Sequence, residues 1–235
     1  MEKQKNFELI NMIKGFGVIF LYLIGSALVY DFIGIFGINY NDLNIIIKQI
    51  YLILYELFLT LIIVYIYRKD FIPNFKYFIK NIKHFFNKYI KYWFLMLGLM
   101  ILSNSIITIF TTTMTSQNQQ TIIDTLGKAP IYTLIVTVFI APILEELVFR
   151  ISFKKIFTHT NILFIIFSSL FFGGMHVIGS LENLVDLLFI IPYSIPGFIF
   201  AYLYTKTNNI CVPILLHFIH NGVMMALQIM LLLIN

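Results

Sequence analysis

The decapeptide APILEELVFR, Ala141–Arg150, sets two adjacent carboxylates and an arginine into a run that otherwise has the composition of a membrane span. A charged side chain near the centre of an inserted helix costs roughly 2.5–3.5 kcal/mol on insertion scales, so Glu145 and Glu146 need partners or a purpose. On a helix Glu146 and Arg150 are four apart and face one another, which makes them an ion pair. Glu145 points about 100° away and finds no partner within the segment. It is the residue that the rest of the chain has to account for.

The surrounding composition is that of a polytopic membrane protein: 60% of the 235 residues are hydrophobic and only 11% are charged. An all-α transmembrane bundle is expected, with membrane lipid as its first partner, because only helices and closed barrels satisfy their backbone in lipid. Seven apolar runs have spanning length, near 15–36, 50–67, 92–110, 130–149, 162–178, 184–204 and 210–234. Lys3, Lys5 and Lys14 precede the first run, which continues to Phe36 without a small-x-small site and reads as a retained helix, not a cleaved leader. The net charge of +5 comes from lysines between apolar runs, which argues for positive-inside topology and against nucleic acid as a partner. Only Lys48 and Lys128 fall on the other side, so the expected arrangement in a bacterial cell membrane is N-terminus cytoplasmic and C-terminus outside. The single cysteine, Cys211, excludes an internal disulfide and a thiolate metal cluster.

Two segments are expected. Residues 1–121 hold N-terminal spans and a basic stretch in which Lys76, Lys80, Lys83, Asn87 and Lys91 recur at three- and four-residue steps, an interfacial amphipathic helix after Pro73. Glu56 is the one carboxylate in mid-span there, serving either a polar cavity or an interhelical hydrogen bond. The polar run Thr111–Thr121 reads as an outside loop. Residues 122–235 carry the chemistry, and Pro192, Pro196 and Gly197 predict a kink in the sixth span.

Beyond the dicarboxylate, FFGGMH carries Phe172 and His176 four apart, and HFIHN carries His217, His220 and Asn221. Glu145 lies fifteen residues before the turn near Thr160 and His176 sixteen after it, so at ~1.5 Å per residue both sit at similar depth on antiparallel neighbours. His217 is only eight residues beyond Asn209, so a shared site requires the inner part of the fourth span to project from the hydrocarbon, with the site opening toward the cytoplasm. Gly173 and Gly174 permit a close backbone approach near His176. His217 and Asn221 share one face; His220 is offset from it. Other intramembrane protease designs do not match: HExxH, GxGD and a GxSG-like serine are all missing.

EELVFR, FGGMH and HFIHN together resemble the EExxxR, FxxxH and HxxxN motifs of the CPBP family, the CAAX-protease, Abi or Rce1-like membrane proteins. The match covers roughly residues 129–227. The resemblance implies an intramembrane endopeptidase in which Glu145 and His176 activate a water while His217 and Asn221 bind the oxyanion. Glu146, Arg150 and Phe172 are then structural or orienting. Members are often described as metalloproteases, in which Glu145, His176 and His217 would gather Zn2+; two histidines and a carboxylate suit a zinc site and a metal-free one equally. The Ile-, Lys-, Asn- and Phe-rich composition suggests an AT-rich bacterial genome, so a prenylated CAAX substrate does not carry over with the name. Relatives linked to bacteriocin immunity and peptide processing point instead to a small hydrophobic peptide or membrane-protein substrate. A non-catalytic scaffold or immunity protein is the alternative reading, and a proton-coupled transporter a third.

Overall fold

A computed structural model describes residues 2–111 and 115–234. Among the described residues it is a helical bundle without strands: α1 (Glu2–Ala27), α2 (Ile45–Ile66), α3 (Arg68–Lys80), α4 (Ile82–Thr111), α5 (Gln117–Lys128), α6 (130–156), α7 (Asn161–Ile178), α8 (Ile190–Thr207) and α9 (Cys211–Ile234). Six of these, the last but one extended by a 3-10 turn over Leu184–Phe189, are long and apolar enough to cross a membrane. The seventh expected span is α6, equally long but interrupted by π-helical turns over Ile135–Ile140 and Leu147–Ser152. Large apolar side chains such as Phe20, Phe58, Phe94, Leu102 and Leu233 point outward, a surface that water would penalise and lipid accepts.

Three expectations need correcting. The first helix begins well before residue 15 and stops at Ala27; residues 32–36 form a 3-10 turn closed by Gly37 at φ 73°, a backbone conformation that glycine adopts freely. The basic stretch is divided at Asn81: α3 is a short helix of its own, including Pro73, whereas Lys83, Lys88 and Lys91 extend the start of α4. Most of the polar run is helical, because Ser116 accepts from Gln119 N and starts α5. Thr112, Thr113 and Met114 of that run lie outside the described residues.

The two ends of the bundle differ. One is basic, with Lys14 donating to the Ile66 carbonyl at 2.8 Å, Lys155 paired with Asp70 at 3.3 Å, and Asn74 of α3 accepting from Ile210 N at the start of α9. In the inner part of α6 Arg150, Ile151, Ser152 and Phe153 are buried within the bundle, and Ser152 shares a 2.7 Å hydrogen bond with Tyr67. The main core draws on both halves of the chain, joining Val18 and Ile63 to Phe149, Phe200 and Leu216.

The tightest packing is between α7 and α8. A Cβ on Gly173 would lie 2.2 Å from Ser194 Oγ and 2.8 Å from the Ile190 carbonyl, and one on Gly197 would lie 2.8 Å from Ser169 Cα. Gly197 therefore serves contact as well as geometry, while Gly174 meets no neighbouring backbone. With Pro196 inside it, α8 nonetheless runs unbroken from Ile190 to Thr207.

Candidate active site

The decapeptide occupies the middle of α6: Ala141–Glu146 lie between its two π turns, and residues 147–150 lie in the second. A π turn leaves a carbonyl without its usual helical donor, and here the sequence decides which one. Ala141 N–H bonds to Val136 O, five residues back, and the next residue, Pro142, has no N–H to give to Thr137 O. That carbonyl is satisfied from another helix: Asn221 Nδ2 donates to Thr137 O at 2.9 Å. In the second π turn Ser168 Oγ donates to Phe149 O at 2.6 Å and accepts from Arg150 Nη1 at 2.7 Å.

Glu146 and Arg150 form the expected ion pair, both fully buried, with Nε–Oε2 at 2.7 Å and Nη2–Oε1 at 3.2 Å. This bidentate fork is the geometry in which a buried pair offsets its desolvation. The guanidinium also lies over the rings of Phe172 and Phe200, with centroid distances of 5.0 and 5.9 Å.

Glu145 does have a neighbour, supplied by α9. His217 Nδ1 is 3.0 Å from Glu146 Oε1, and its Nε2 is 3.8 Å from Glu145 Oε2. The ring is fixed by stacking on Phe200 at 5.2 Å and by an edge contact with Phe172 at 5.8 Å. Glu145 Oε2 is buried without a hydrogen-bond partner, and the residue lines a cavity of about 550 Å³, which His176, His217, His220 and Asn221 line as well. His176 Nδ1–H donates to the Phe172 carbonyl at 2.8 Å, which leaves Nε2 with its lone pair. The His176 ring stacks between Phe172 at 4.5 Å and Tyr193 at 5.0 Å.

The structure thus brings Glu145, His176, His217 and Asn221 to one cavity, and it adds His220, whose Nδ1 is buried without a partner. Although offset on α9 from the face of His217 and Asn221, His220 reaches the same cavity wall. Glu56 makes no side-chain hydrogen bond among the described residues and does not line the cavity. Sequence reading missed Ser168, Tyr193 and Phe200. Ser168 had a signal, since Ser168, Phe172 and His176 repeat at four-residue steps on one face of α7. Tyr193 and Phe200 had none, being aromatic residues among many.

Among the described residues no three His, Cys, Asp or Glu side chains converge to hold a metal ion. Glu145 and His217 face one another, but His176 lies one turn beyond Phe172 and is tied to that residue's carbonyl. The donor set of a three-ligand zinc site is therefore not assembled in this arrangement.

The cavity does not run toward the basic end. It is lined by Asn104, Ser116, Asn118, Gln119 and Gln228, which belong to the opposite end, whereas below His217 the residues Phe200, Leu203, Ile210 and Leu216 are fully buried. The opening expected at the basic end is corrected by this packing, which closes that end with aromatic and aliphatic side chains.

Comparison with known proteins identifies the same region. Residues 127–223 match the family model described as Type II CAAX prenyl endopeptidase Rce1-like. The chain is 36% identical over 116 residues to YdiL of Bacillus subtilis (strain 168), a candidate membrane peptidase, covering 48% of this chain and 44% of that protein. It is 33% identical over 123 residues to the membrane-embedded CAAX protease MroQ of Staphylococcus aureus (strain USA300), covering 49% and 46%. The matched region thus spans less than half the length of either relative. No solved structure matches the chain.

Proposed function

We propose that this chain is an intramembrane endopeptidase that hydrolyses a small hydrophobic or membrane-associated peptide, a reading supported by the match of residues 127–223 to the Rce1-like family model. The observation that carries the reading is His217 placed between Glu146 and Glu145 at the floor of a cavity, with an unpartnered Glu145 oxygen facing it. A carboxylate is not left without a donor in a buried site unless something else binds there.

In the proposed reaction Glu145 takes a proton from a water whose oxygen attacks the scissile carbonyl carbon. The same proton then goes to the departing amine nitrogen as the C–N bond breaks. His176, its Nε2 lone pair directed away from the Phe172 carbonyl, helps hold the water. His217, held by Glu146 through Nδ1–H and carrying a second proton on Nε2 in this step, donates with Asn221 to the developing oxyanion. One N–H of the Asn221 amide is committed to Thr137 O and the second remains for the substrate.

The test is cleavage of peptide substrates by the purified, reconstituted chain with and without a chelator, alongside Glu145→Gln. The expected outcome is chelator-insensitive cleavage that falls by about 10² to 10⁴ in Glu145→Gln at unchanged protein level. Full activity of Glu145→Gln would overturn the assignment, and loss of activity with chelator would overturn the metal-free route. A scaffold or immunity protein would show binding without cleavage.

A further inference from the structure

The direction and chemistry of the cavity say more about the substrate than the catalytic groups do. Its surface-reaching side is marked by Ile101, 58% exposed, and by half-buried Gln119 and Gln228. These stand at the end of the bundle away from Lys14, Arg68, Lys155 and Lys206. The positive-inside rule makes the basic end cytoplasmic, so the mouth belongs to the other leaflet.

Among the described residues the walls carry no lysine or arginine, and Glu145 is their only carboxylate. Arg150, the nearest cation, is fully buried and already paired. A peptide's terminal carboxylate brought to this floor would meet Glu145 and Glu146 with no free guanidinium or ammonium to balance it. Neutral recognition groups are present instead. The side-chain amides of Asn104, Gln119 and Gln228 have no hydrogen-bond partner among the described residues, and each offers both donors and an acceptor. Between them stand Met100, Met224 and Met225, adaptable apolar side chains that fit many shapes.

We propose that the cavity is loaded from the non-cytoplasmic side, and that it takes an uncharged internal stretch of peptide, held through its backbone amides, in preference to a free C-terminus. The word peptide rests on the proteolytic reading above; the side of entry rests on the fold and the positive-inside rule.

Two measurements separate these parts. In a Cys211→Ser background, intact cells bearing Gln119→Cys, Gln228→Cys or Lys83→Cys are treated with a membrane-impermeant maleimide. The first two should label before lysis and Lys83→Cys only after it. Labelling of Lys83→Cys before lysis, with the mouth cysteines protected, overturns the side of entry whether or not the chain is a protease. For the substrate, the full chain and Glu145→Gln are given a pool of neutral apolar peptides in matched pairs, one C-terminally amidated and one with a free carboxylate close to the cleavable stretch. Cleavage that depends on Glu145 and favours the amidated members by about tenfold or more is expected. Equal or faster cutting of the free-carboxylate members overturns the inference and leaves the protease standing. If the wild-type chain cuts no peptide, the proteolytic reading fails and the substrate class fails with it, while the labelling result still decides the side.

Discussion

His217 donates through Nδ1 to Glu146 Oε1 over 3.0 Å, so the ion pair inside α6 and the imidazole of α9 form one unit. Arg150 holds Glu146, Glu146 orients His217, and His217 presents Nε2 toward Glu145. A carboxylate–imidazole bond fixes ring orientation and tautomer, which gives Glu146 a positioning role distinct from that of its neighbour.

Arg150→Ala should reduce folded protein as well as activity. It strips Glu146 of its fork, Ser168 of a donor and two aromatic faces of their cation. Breaking a buried pair typically costs about 3–5 kcal/mol. Arg150→Lys should recover part of this, because an ammonium keeps the charge but loses the planar fork. Thermal unfolding in detergent, followed by size-exclusion profile, measures both; an unchanged Arg150→Ala would show that the pair is not structural.

Gly173→Ala and Gly197→Ala should each destabilise by about 1–3 kcal/mol, the usual cost of overpacking. The added methyl groups meet Ser194 with the Ile190 carbonyl in one case and the Ser169 backbone in the other. Gly174→Ala, with only an Ile178 side-chain atom at 3.6 Å, should be close to neutral. Equal melting temperatures for Gly173→Ala and Gly174→Ala would contradict the packing of α7 on α8.

His220→Ala should lower catalysis far less than His217→Ala, by less than about tenfold, and through KM more than kcat. His220 lines the cavity but bonds to neither glutamate, so it meets substrate without orienting the catalytic pair. Steady-state kinetics on a verified substrate decide it. A kcat loss in His220→Ala equal to that of His217→Ala would exchange their roles.

What was legible in the sequence was local. The Glu146–Arg150 pair follows from four-residue spacing, and the all-helical class from apolar runs of spanning length. Sharing of one cavity by Glu145, His176, His217 and Asn221 was approached by counting depth along antiparallel helices, which is coarse but independent of side-chain detail. Neither the π turns nor the direction of the cavity was legible. A π turn arises from packing that adds one residue to a turn, and no simple periodicity announces it. The blocked basic end depends on Phe200, Ile210 and Leu216 meeting from separate helices, a tertiary outcome that an apolar run does not encode. Helix starts failed for a related reason: α1 begins in polar residues whose periodicity is weak, and α5 starts at a serine cap inside what reads as a loop.

Pro142 and Asn221 give the most discriminating test, because the geometry couples one side chain to one missing N–H. Asn221→Ala should have two effects. Loss of an oxyanion donor should lower kcat by about 10² to 10³. Loss of its bond to Thr137 O should leave a half-buried carbonyl in the cavity wall without its donor, at a cost of about 1 kcal/mol. Pro142→Ala restores a backbone N–H five residues beyond Thr137, the spacing at which a π turn can use it. In the double variant Pro142→Ala, Asn221→Ala, stability should therefore recover toward wild type while activity stays low. A double-variant cycle on melting temperature and kcat reads the two separately. Strictly additive loss of stability would mean that Pro142 does not orphan Thr137 O, and recovery of activity along with stability would mean that Asn221 acts only through the backbone.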